Sequence, residues 1–374
     1  MQKPLLQQAN LNRRFVAALV AAAGAAPAGA LAADSPTTTL SQILANSGIT
    51  ESGYVAASYY DSSGYNTYHQ FDTSHDTFQL DQAGLQLGYQ PKSGFGAVVD
   101  VIAGEDAKIV NAAESAGASD DSFDILQGFA QYVAGPVTVQ AGKFTTLAGA
   151  EVIAPTGNTN FSRSLLFFAE PMTHTGLRAT YALSGTVSVI VGVNNGWNYT
   201  KIDSGSKTGE FGLALNPNKY FSLTAQLYAG KDPYFGAERT FFDTVATFNA
   251  TSALSFVVSY DWGKQESSTA TPAFLTPGGW DGVAGYINYQ LSSEWRVSLR
   301  AEYLDDKDGF ITGAAQNLKE GTITFGYDPV ASFELRIEGR YDSSSEPTFL
   351  KSETPVAQYS SNQSEVALQG VYKF

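Results

Sequence analysis

The amino-acid sequence predicts an all-β protein, a transmembrane antiparallel β-barrel of about 16 strands with short periplasmic turns and long external loops. Three observations lead to this prediction. Segments of about 10 residues alternate between apolar and polar side chains, aromatic residues stand at their ends, and short connections alternate with long polar ones. Together these features are typical of strands that cross a membrane with one face toward lipid.

The amino-terminal residues 1–32 are predicted to be a secretory signal peptide. Lys3, Arg13 and Arg14 form a basic region, an apolar stretch follows over 15–26, and Ala30-Leu31-Ala32 is an A-x-A cleavage site. Cleavage is expected after residue 32 or 33. The apolar stretch is too short to span a bilayer as a helix, which needs about 20 apolar residues.

Residues 33–50 are predicted to be a short periplasmic segment. The barrel that follows it should occupy residues 51–374. Leu40, Ile43 and Leu44 stand at helical spacing, so we expect one short amphipathic turn at the periplasmic mouth.

The strands of the barrel are predicted from alternation with a period of two. In one of the clearest segments Ala83, Leu85, Leu87 and Tyr89 alternate with small or polar residues. The same pattern recurs at 95–101, 177–183, 187–193, 211–215, 221–227, 254–262, 283–291, 295–303, 333–341 and 366–374. Segments of roughly 9 to 11 residues can cross a membrane as tilted strands.

A soluble β-sandwich also alternates, and two features argue against one. The apolar positions often end in aromatic residues, as the girdles at the two membrane interfaces require: Tyr89, Trp262, Tyr289, Trp295, Tyr303, Tyr341 and Phe374. The opposite positions carry full charges at mid-strand, which a dry core would not hold unpaired.

Connection lengths give the orientation of the barrel. Short turns lie at 90–93, 135–136, 184–185, 217–219, 251–252, 292–294 and 328–331, and long polar connections lie at 61–77, 104–122, 148–172, 195–207, 230–240, 263–280, 304–319 and 343–362. Short and long alternate strictly, so we place the turns at the periplasmic end and the loops outside. A barrel of this size leaves a water channel along its axis.

Composition excludes several classes of function. Lys and Arg number 22 against 36 Asp and Glu, and no basic cluster is present, so nucleic acid is not an expected partner. The absence of Cys excludes disulfides, thiolate metal sites and Cys nucleophiles. We predict no cofactor and no metal site.

The chain resembles the OmpL-like family of β-barrel porins over essentially its whole mature length. The resemblance rests on Gln90-Pro91-Lys92-Ser93-Gly94-Phe95-Gly96, Gly142-Lys143-Phe144, Asn160-Phe161-Ser162-Arg163-Ser164, His174-Thr175-Gly176-Leu177-Arg178 and Asn194-Asn195-Gly196-Trp197. It implies a pore in the bacterial outer membrane. The last strand ends in Phe374, as in outer-membrane barrels generally, which implies that this residue is an assembly signal read by the barrel assembly machinery.

The third long connection, at about 148–172, is the predicted constriction. It joins strands 5 and 6, where general porins fold a loop into the channel, and it carries Glu151, Arg163 and Glu170. Its apolar run Leu165–Phe168 should pack against the barrel wall rather than lie in water. The alternative is an ordinary solvent-exposed surface loop.

The wall of the narrow zone is predicted from inward-facing charges near mid-strand. These are Asp100 on strand 3, Arg178 on strand 6, Arg300 and Glu302 on strand 13, and Arg336, Glu338 and Arg340 on strand 15. They either bias ion passage or form salt bridges that brace the barrel, and the sequence leaves both readings open. Lys143 falls on the lipid-facing parity, which indicates either a bulge or a position at the rim.

The predicted function is passive diffusion of small hydrophilic solutes or ions with weak charge selectivity. An adhesin or receptor-like barrel is the alternative, and a hydrolase with a rim site is a weaker one. The chain is not expected to be an enzyme, because His69, His75 and His174 read as loop or rim histidines. Expected partners are outer-membrane lipid, lipopolysaccharide, the barrel assembly machinery and small solutes, and monomer and homotrimer both remain open. Glu105, Asp106, Asp120 and Asp121 should meet divalent cations that bridge lipopolysaccharide, or form a solvated face.

Overall fold

The computed structural model describes residues 44, 46–115, 119–234, 236–267 and 277–374. The predicted signal peptide at 1–32 lies outside the described residues, as do residues 33–43 and 45 of the predicted periplasmic segment. The first strand begins at Ile49, two residues before the predicted start of the barrel.

Sixteen strands of the described chain form one closed antiparallel barrel. They are β1 (Ile49–Ser62), β2 (Thr77–Tyr89), β3 (Gly94–Ala103), β4 (Phe123–Ala134), β5 (Val137–Thr145), β6 (Thr173–Ala182), β7 (Val187–Asn194), β8 (Thr208–Asn218), β9 (Phe221–Lys231), β10 (Glu238–Asn249), β11 (Leu254–Gln265), β12 (Gly278–Gln290), β13 (Trp295–Asp306), β14 (Gln316–Val330), β15 (Phe333–Ser344) and β18 (Asn362–Lys373). The barrel closes where β1 pairs with β18, for example Tyr54 with Lys373. The predicted fold class and strand number are confirmed.

The two faces of the strands differ as the alternation predicts. On β13 the Leu299 side chain is 40% exposed, whereas its neighbours Ser298 and Arg300 are 0% and 2% exposed. Aromatic side chains line the outer face near the turns, and Trp295 stacks on Tyr327 with ring centroids 4.4 Å apart. The exposed apolar face is therefore the lipid-facing one, and polar and charged side chains point inward.

The long connections contain short elements of their own. Helix α1 (Glu105–Ser115) follows β3, a 3-10 turn (Pro155–Gly157) and the short helix α2 (Leu165–Phe168) lie between β5 and β6, and a hairpin of β16 (Phe349–Ser352) and β17 (Gln358–Ser360) precedes β18. None of the helices in the described ranges is long and apolar enough to span a membrane.

The connection between β3 and β4 corrects the sequence analysis at Asp106. This side chain is only 2% exposed, because α1 turns it toward Gln82 on β2 instead of toward solvent. Burial, together with the nearby Asp81 carboxylate, raises the pKa of Asp106 well above its usual value. It is therefore not part of the outer acidic face that the sequence predicts.

Two apolar clusters lie on the inner side of the barrel. Leu165 and Leu166 of α2 pack with Tyr228, Phe241 and Trp280 from strands β9, β10 and β12. In the second cluster, residues from the first long loop, β3, α1, β4 and the connection between β5 and β6 pack together: Phe71, Ile102, Ala107, Val110, Leu126, Ile153, Phe167 and Met172. These contacts hold three connections against the inner wall and position the charged groups described next.

Candidate functional site

The connection between β5 and β6, residues 146–172, is hereafter the β5–β6 loop. Its backbone is bound by carboxylates that project from two strands of the wall. Glu338 accepts hydrogen bonds from the N–H groups of Phe161 and Ser162 at 2.7 and 2.9 Å. Glu302 accepts from the first two N–H groups of α2, at 3.1 and 3.2 Å. Charge-assisted bonds of this kind are roughly twice as strong as neutral ones.

The loop is also organised from within around the start of α2. The Ser164 hydroxyl accepts a hydrogen bond from the Phe167 N–H at 2.9 Å, which caps the helix. Glu151, earlier in the loop, accepts from the Ser164 N–H at 2.6 Å. The sequence Ser164-Leu165-Leu166-Phe167 thus supplies both a cap and the apolar side chains that α2 buries.

Arg300 is the charged centre of the wall beneath the loop. Its guanidinium lies 2.8 Å from Glu151 and 3.2 Å from both Glu302 and Glu320, and it donates to the Ser162 carbonyl at 2.8 Å. All of these charged groups are buried. A buried charge of this kind is tolerated only where partners surround it, and here three carboxylates and a carbonyl do so.

Arg336 and Arg340 extend this arrangement along β15. Arg336 pairs with Glu334 at 2.9 Å and donates to the Pro155 carbonyl at 3.1 Å. Arg340 pairs with Asp342 at 2.9 Å and donates to the Arg163 carbonyl at 2.6 Å. Each arginine therefore joins a wall carboxylate to the backbone of the β5–β6 loop.

Arg163 itself does not project into open space. Its guanidinium donates to the carbonyls of Val152, Phe161 and Ile153, all in its own loop, at 2.7 to 2.9 Å. Burial lowers the pKa of Arg163, although the Glu151 and Asp106 carboxylates act in the opposite direction. The sequence predicts that Arg163 presents a charge to the lumen. In the structure its guanidinium instead binds the backbone of its own loop.

Three of the predicted site residues make their principal contacts elsewhere. Arg178 pairs with Glu210 at 2.8 Å and lies 4.0 Å from the centroid of the Phe144 ring. Asp100 accepts hydrogen bonds from Gln86 and Gln127. Glu170 lies with Asp243 and Asp261, and the carboxylate oxygens of these three are within 4.8 Å of one another.

Lys143 is buried rather than placed at the rim. Its ammonium group binds Glu114 of α1 and Asp124 of β4 at 2.6 and 2.9 Å. The preceding Gly142 has φ of +139°, whereas the pairings of β5 with β4 and with β6 keep their register at Lys143. The irregular backbone at Gly142 is the local feature that accompanies the inward position of this lysine.

The histidines differ in their surroundings. His69 lies in the first long loop, in agreement with a loop or rim histidine, and it is buried, with Nδ1 at 2.5 Å from Asp72 and Nε2 at 2.9 Å from Asp342. His174 is buried on the inner face, where it stacks on Tyr228 and contacts the Gly196 carbonyl. His75 lies near Tyr65 in the first long loop.

Several carboxylates of this site are absent from the sequence analysis. They are Glu210, Asp243, Asp261, Glu320, Glu334 and Asp342. Parity alone could have identified Asp261, since it alternates with the outward Tyr260 and Trp262. Parity could not have said which arginine each acid meets, because those partners come from strands and loops distant in sequence.

Comparison with known proteins gives the family. The profile of the family described as "Putative beta-barrel porin-2, OmpL-like" matches residues 45–374. The chain belongs to this family. The resemblance stated from the sequence motifs is thereby confirmed. No curated protein matches the sequence.

Solved structures with the same fold as this OmpL-like porin are outer-membrane barrels. The outer membrane channel DcaP of Acinetobacter baumannii has 14% identity and a TM-score of 0.59, over 87% of this chain and 97% of that one. The trimer form of OmpT of Vibrio cholerae has 11% identity and a TM-score of 0.60, over 87% and 99%. The anion-selective porin from Comamonas acidovorans has 10% identity and a TM-score of 0.57, over 87% and 99%.

At these identities the structural likeness concerns the fold, and the family match supplies the functional class. The protein is an outer-membrane porin, as the sequence predicts. The charged contacts between the wall and the β5–β6 loop are the candidate site that controls permeation through this porin.

Proposed function

We propose that this porin passes small hydrophilic solutes and ions by passive diffusion, through a channel that the β5–β6 loop narrows. The observation that carries the proposal is the attachment of the loop to inward-facing Glu302 and Glu338 through four backbone N–H groups. A loop held against the wall inside a barrel reduces the cross-section available to solutes. The constriction residues in this proposal are Glu151, Arg163, Arg300, Glu302, Arg336, Glu338 and Arg340.

We infer a weak preference of the channel for cations. The inward arginines Arg178, Arg300, Arg336 and Arg340 each lie beside a carboxylate. Among the residues that the structure describes, the inward carboxylates Asp81 and Asp100 have no ion-pair partner, and Asp120 and Asp121 are exposed in the connection between β3 and β4. Fixed negative charge that is not neutralised locally enriches cations in a pore.

The proposal includes the absence of catalysis. A hydrolase at the rim needs an accessible imidazole held by a carboxylate beside a nucleophile. His69 has both ring nitrogens against carboxylates, and His174 stacks on Tyr228 without an acidic hydrogen-bond partner among the described residues. Nε2 of His174 has no hydrogen-bond partner among the described residues, but it is buried and no carboxylate orients its ring, so neither histidine matches the arrangement that a hydrolase needs.

The partners of the porin follow from its surface. Outward Leu299, Ile323 and Ile337 are exposed and should contact outer-membrane lipid. Lipopolysaccharide at the outer loops and the barrel assembly machinery at the carboxyl terminus are the further partners we propose. A homotrimer is proposed because a trimer form is described for OmpT of Vibrio cholerae, which has this fold.

Planar-bilayer recording tests the proposed function. We expect stepwise insertion of ohmic channels, with a reversal potential of cation sign under a KCl gradient. The potential should shrink as salt rises, because the Debye length falls from about 10 Å at 0.1 M to about 3 Å at 1 M. Heat-denatured protein is the control. A folded barrel that inserts without conducting would favour the adhesin or receptor-like alternative, and an anion-sign potential would overturn the charge assignment.

A further inference from the structure

The group of three carboxylates formed by Glu170, Asp243 and Asp261 is separate from the arginine contacts. Glu170 follows α2 in the β5–β6 loop, and Asp243 and Asp261 are paired directly across strands β10 and β11. All three side chains are at most 6% exposed. One oxygen from each lies within 4.8 Å of the other two.

Asp261 is the member of this group that most clearly lacks a partner. It is 0% exposed, and neither of its carboxylate oxygens receives a hydrogen bond from any residue that the structure describes. One oxygen each of Asp243 and Glu170 is likewise buried without a hydrogen bond. Within the described ranges, no Lys, Arg or His forms an ion pair with any of the three.

Such a group cannot remain as three buried anions. Like charges at this separation repel strongly in a poorly solvated interior, so either protons or a cation must compensate them. The arrangement thus calls for a positively charged partner.

The backbone of the β5–β6 loop approaches the Glu170 carboxylate closely at Gly149. Gly149 has φ of +86°, and a Cβ atom at this position would collide with the Glu170 carboxylate. A residue with a side chain is therefore excluded twice, by backbone strain and by the carboxylate. The loop passes close to Glu170 only because residue 149 is glycine.

We propose that Glu170, Asp243 and Asp261 bind one divalent cation, with Ca²⁺ as the preferred ion. Oxygens that bind Ca²⁺ lie about 2.4 Å from it, so two ligands of one ion are at most about 4.8 Å apart, which the group satisfies. Carboxylates are the ligands that such hard cations prefer, and Ca²⁺ tolerates irregular geometry better than Mg²⁺ does. The remaining positions would be filled by water.

This site would fasten the end of the β5–β6 loop to strands β10 and β11. The carboxylates Glu302 and Glu338 fasten its middle to β13 and β15, on a different part of the wall. The proposal goes beyond the channel function, since the site can bind a cation whether or not the loop limits conduction.

The experiment is calorimetric titration of CaCl₂ into the folded full-length protein in detergent, after treatment with EGTA, at neutral pH. We expect one saturable site per chain with Kd between about 10⁻⁶ and 10⁻³ M. Tb³⁺ luminescence is an independent probe of the same site. Titration in two buffers of different ionisation enthalpy should also show proton release on binding, because the ligands lose shared protons.

Three variants locate the site. Asp261→Asn, Asp243→Asn and Glu170→Gln should each weaken Ca²⁺ binding at least about tenfold. Glu170→Gln makes this change in the loop and leaves the strands unaltered. Asp100→Asn is the matched control, because Asp100 is an inward carboxylate already held by Gln86 and Gln127, and it should bind as the unaltered protein does. Heat-dependent gel mobility verifies that each variant is folded.

Two results would overturn the proposal. One is the absence of saturable binding of Ca²⁺ and Tb³⁺ to the unaltered protein, which would leave shared protons as the compensation. The other is undiminished binding in folded Glu170→Gln and Asp261→Asn. Conductance is measured separately, so failure here leaves the channel function standing, and failure of conduction leaves the site testable.

Discussion

At the scale of single residues, the inner wall is built from charges that satisfy one another. Arg300 meets three carboxylates, and Arg178, Arg336 and Arg340 each meet at least one. Taking one member out of such a group leaves the others buried and unpaired, which costs more than the pair itself contributes. These arginines therefore brace the wall, and any effect on ion passage acts through the carboxylates left over.

His69 shows how a single residue can make this bracing depend on pH. Burial and the nearby Arg340 guanidinium both act to lower the pKa of His69, but the Asp72 and Asp342 carboxylates outweigh them and raise it. Glu365 also lies against the pair of His69 and Asp72. The charged imidazolium thus ties the first long loop to strand β15.

We expect His69→Gln to lower the thermal midpoint of unfolding, and the difference from the unaltered protein to depend on pH. Because the pKa of His69 is raised on folding, its stabilisation is fully present below the unfolded value of about 6.5 and is lost as pH rises through the folded value. The gap between the two midpoints should therefore narrow from acidic to alkaline pH. The exposed His75→Gln is the control, and a gap independent of pH would contradict the assignment.

At the scale of elements, the β5–β6 loop is the one that we propose narrows the channel. Its short helix α2 buries Leu165 and Leu166 against the wall, and each fully buried leucine contributes about 1.5 to 3 kcal/mol. The carboxylates of Glu302 and Glu338 then fix which part of the backbone faces which strand. Apolar contacts hold the loop in place, and the hydrogen bonds define its register.

Glu338→Ala tests this division of roles. The substitution leaves the N–H groups of Phe161 and Ser162 without their acceptor, so the loop should loosen while α2 keeps its apolar contacts. We expect a larger single-channel conductance with more open-state noise, recorded in planar bilayers. Asp100→Asn removes a wall charge that is held by Gln86 and Gln127 and does not contact the loop, so it should leave the open-state noise unchanged. Equal behaviour of the two variants would show that the loop does not set the width of the channel.

At the scale of the whole molecule, the carboxyl terminus closes the barrel. Phe374 exchanges two backbone hydrogen bonds with Gly53, at 2.9 and 3.0 Å, while its side chain is exposed. A Cβ atom on residue 53 would overlap the Phe374 ring, so a larger residue there would displace this exposed ring. Closure leaves the strands of the barrel without a free edge.

Phe374→Ala separates the aromatic ring from the closing hydrogen bonds. The variant retains both backbone bonds, but the family resemblance implies that the assembly machinery reads the ring, so less protein should reach the outer membrane in folded form. Phe374→Tyr should insert normally. The readout is the amount of heat-modifiable barrel in outer-membrane fractions, with synthesis and export measured in parallel. Normal insertion of Phe374→Ala would show that the ring is not read.

The sequence by itself determined the barrel, its strand number and which face of most strands meets lipid, with Lys143 on β5 as an exception. These properties follow from a period of two, which is local, and from the lengths of neighbouring connections. Leu299 and Arg300 illustrate the point, since their opposite environments are apparent from adjacent positions. The inward direction of Glu302, Arg336 and Glu338 followed in the same way.

Only the tertiary structure decided what the inward charges contact. Glu338 binds backbone groups 176 and 177 residues away in sequence, and Arg300 meets a loop carboxylate 149 residues away. Asp243 and Asp261 gain a third carboxylate because the loop brings Glu170 to them. A loop that folds into the barrel buries positions that would otherwise face water. The alternation of residues along a strand does not indicate which loop will cover that strand.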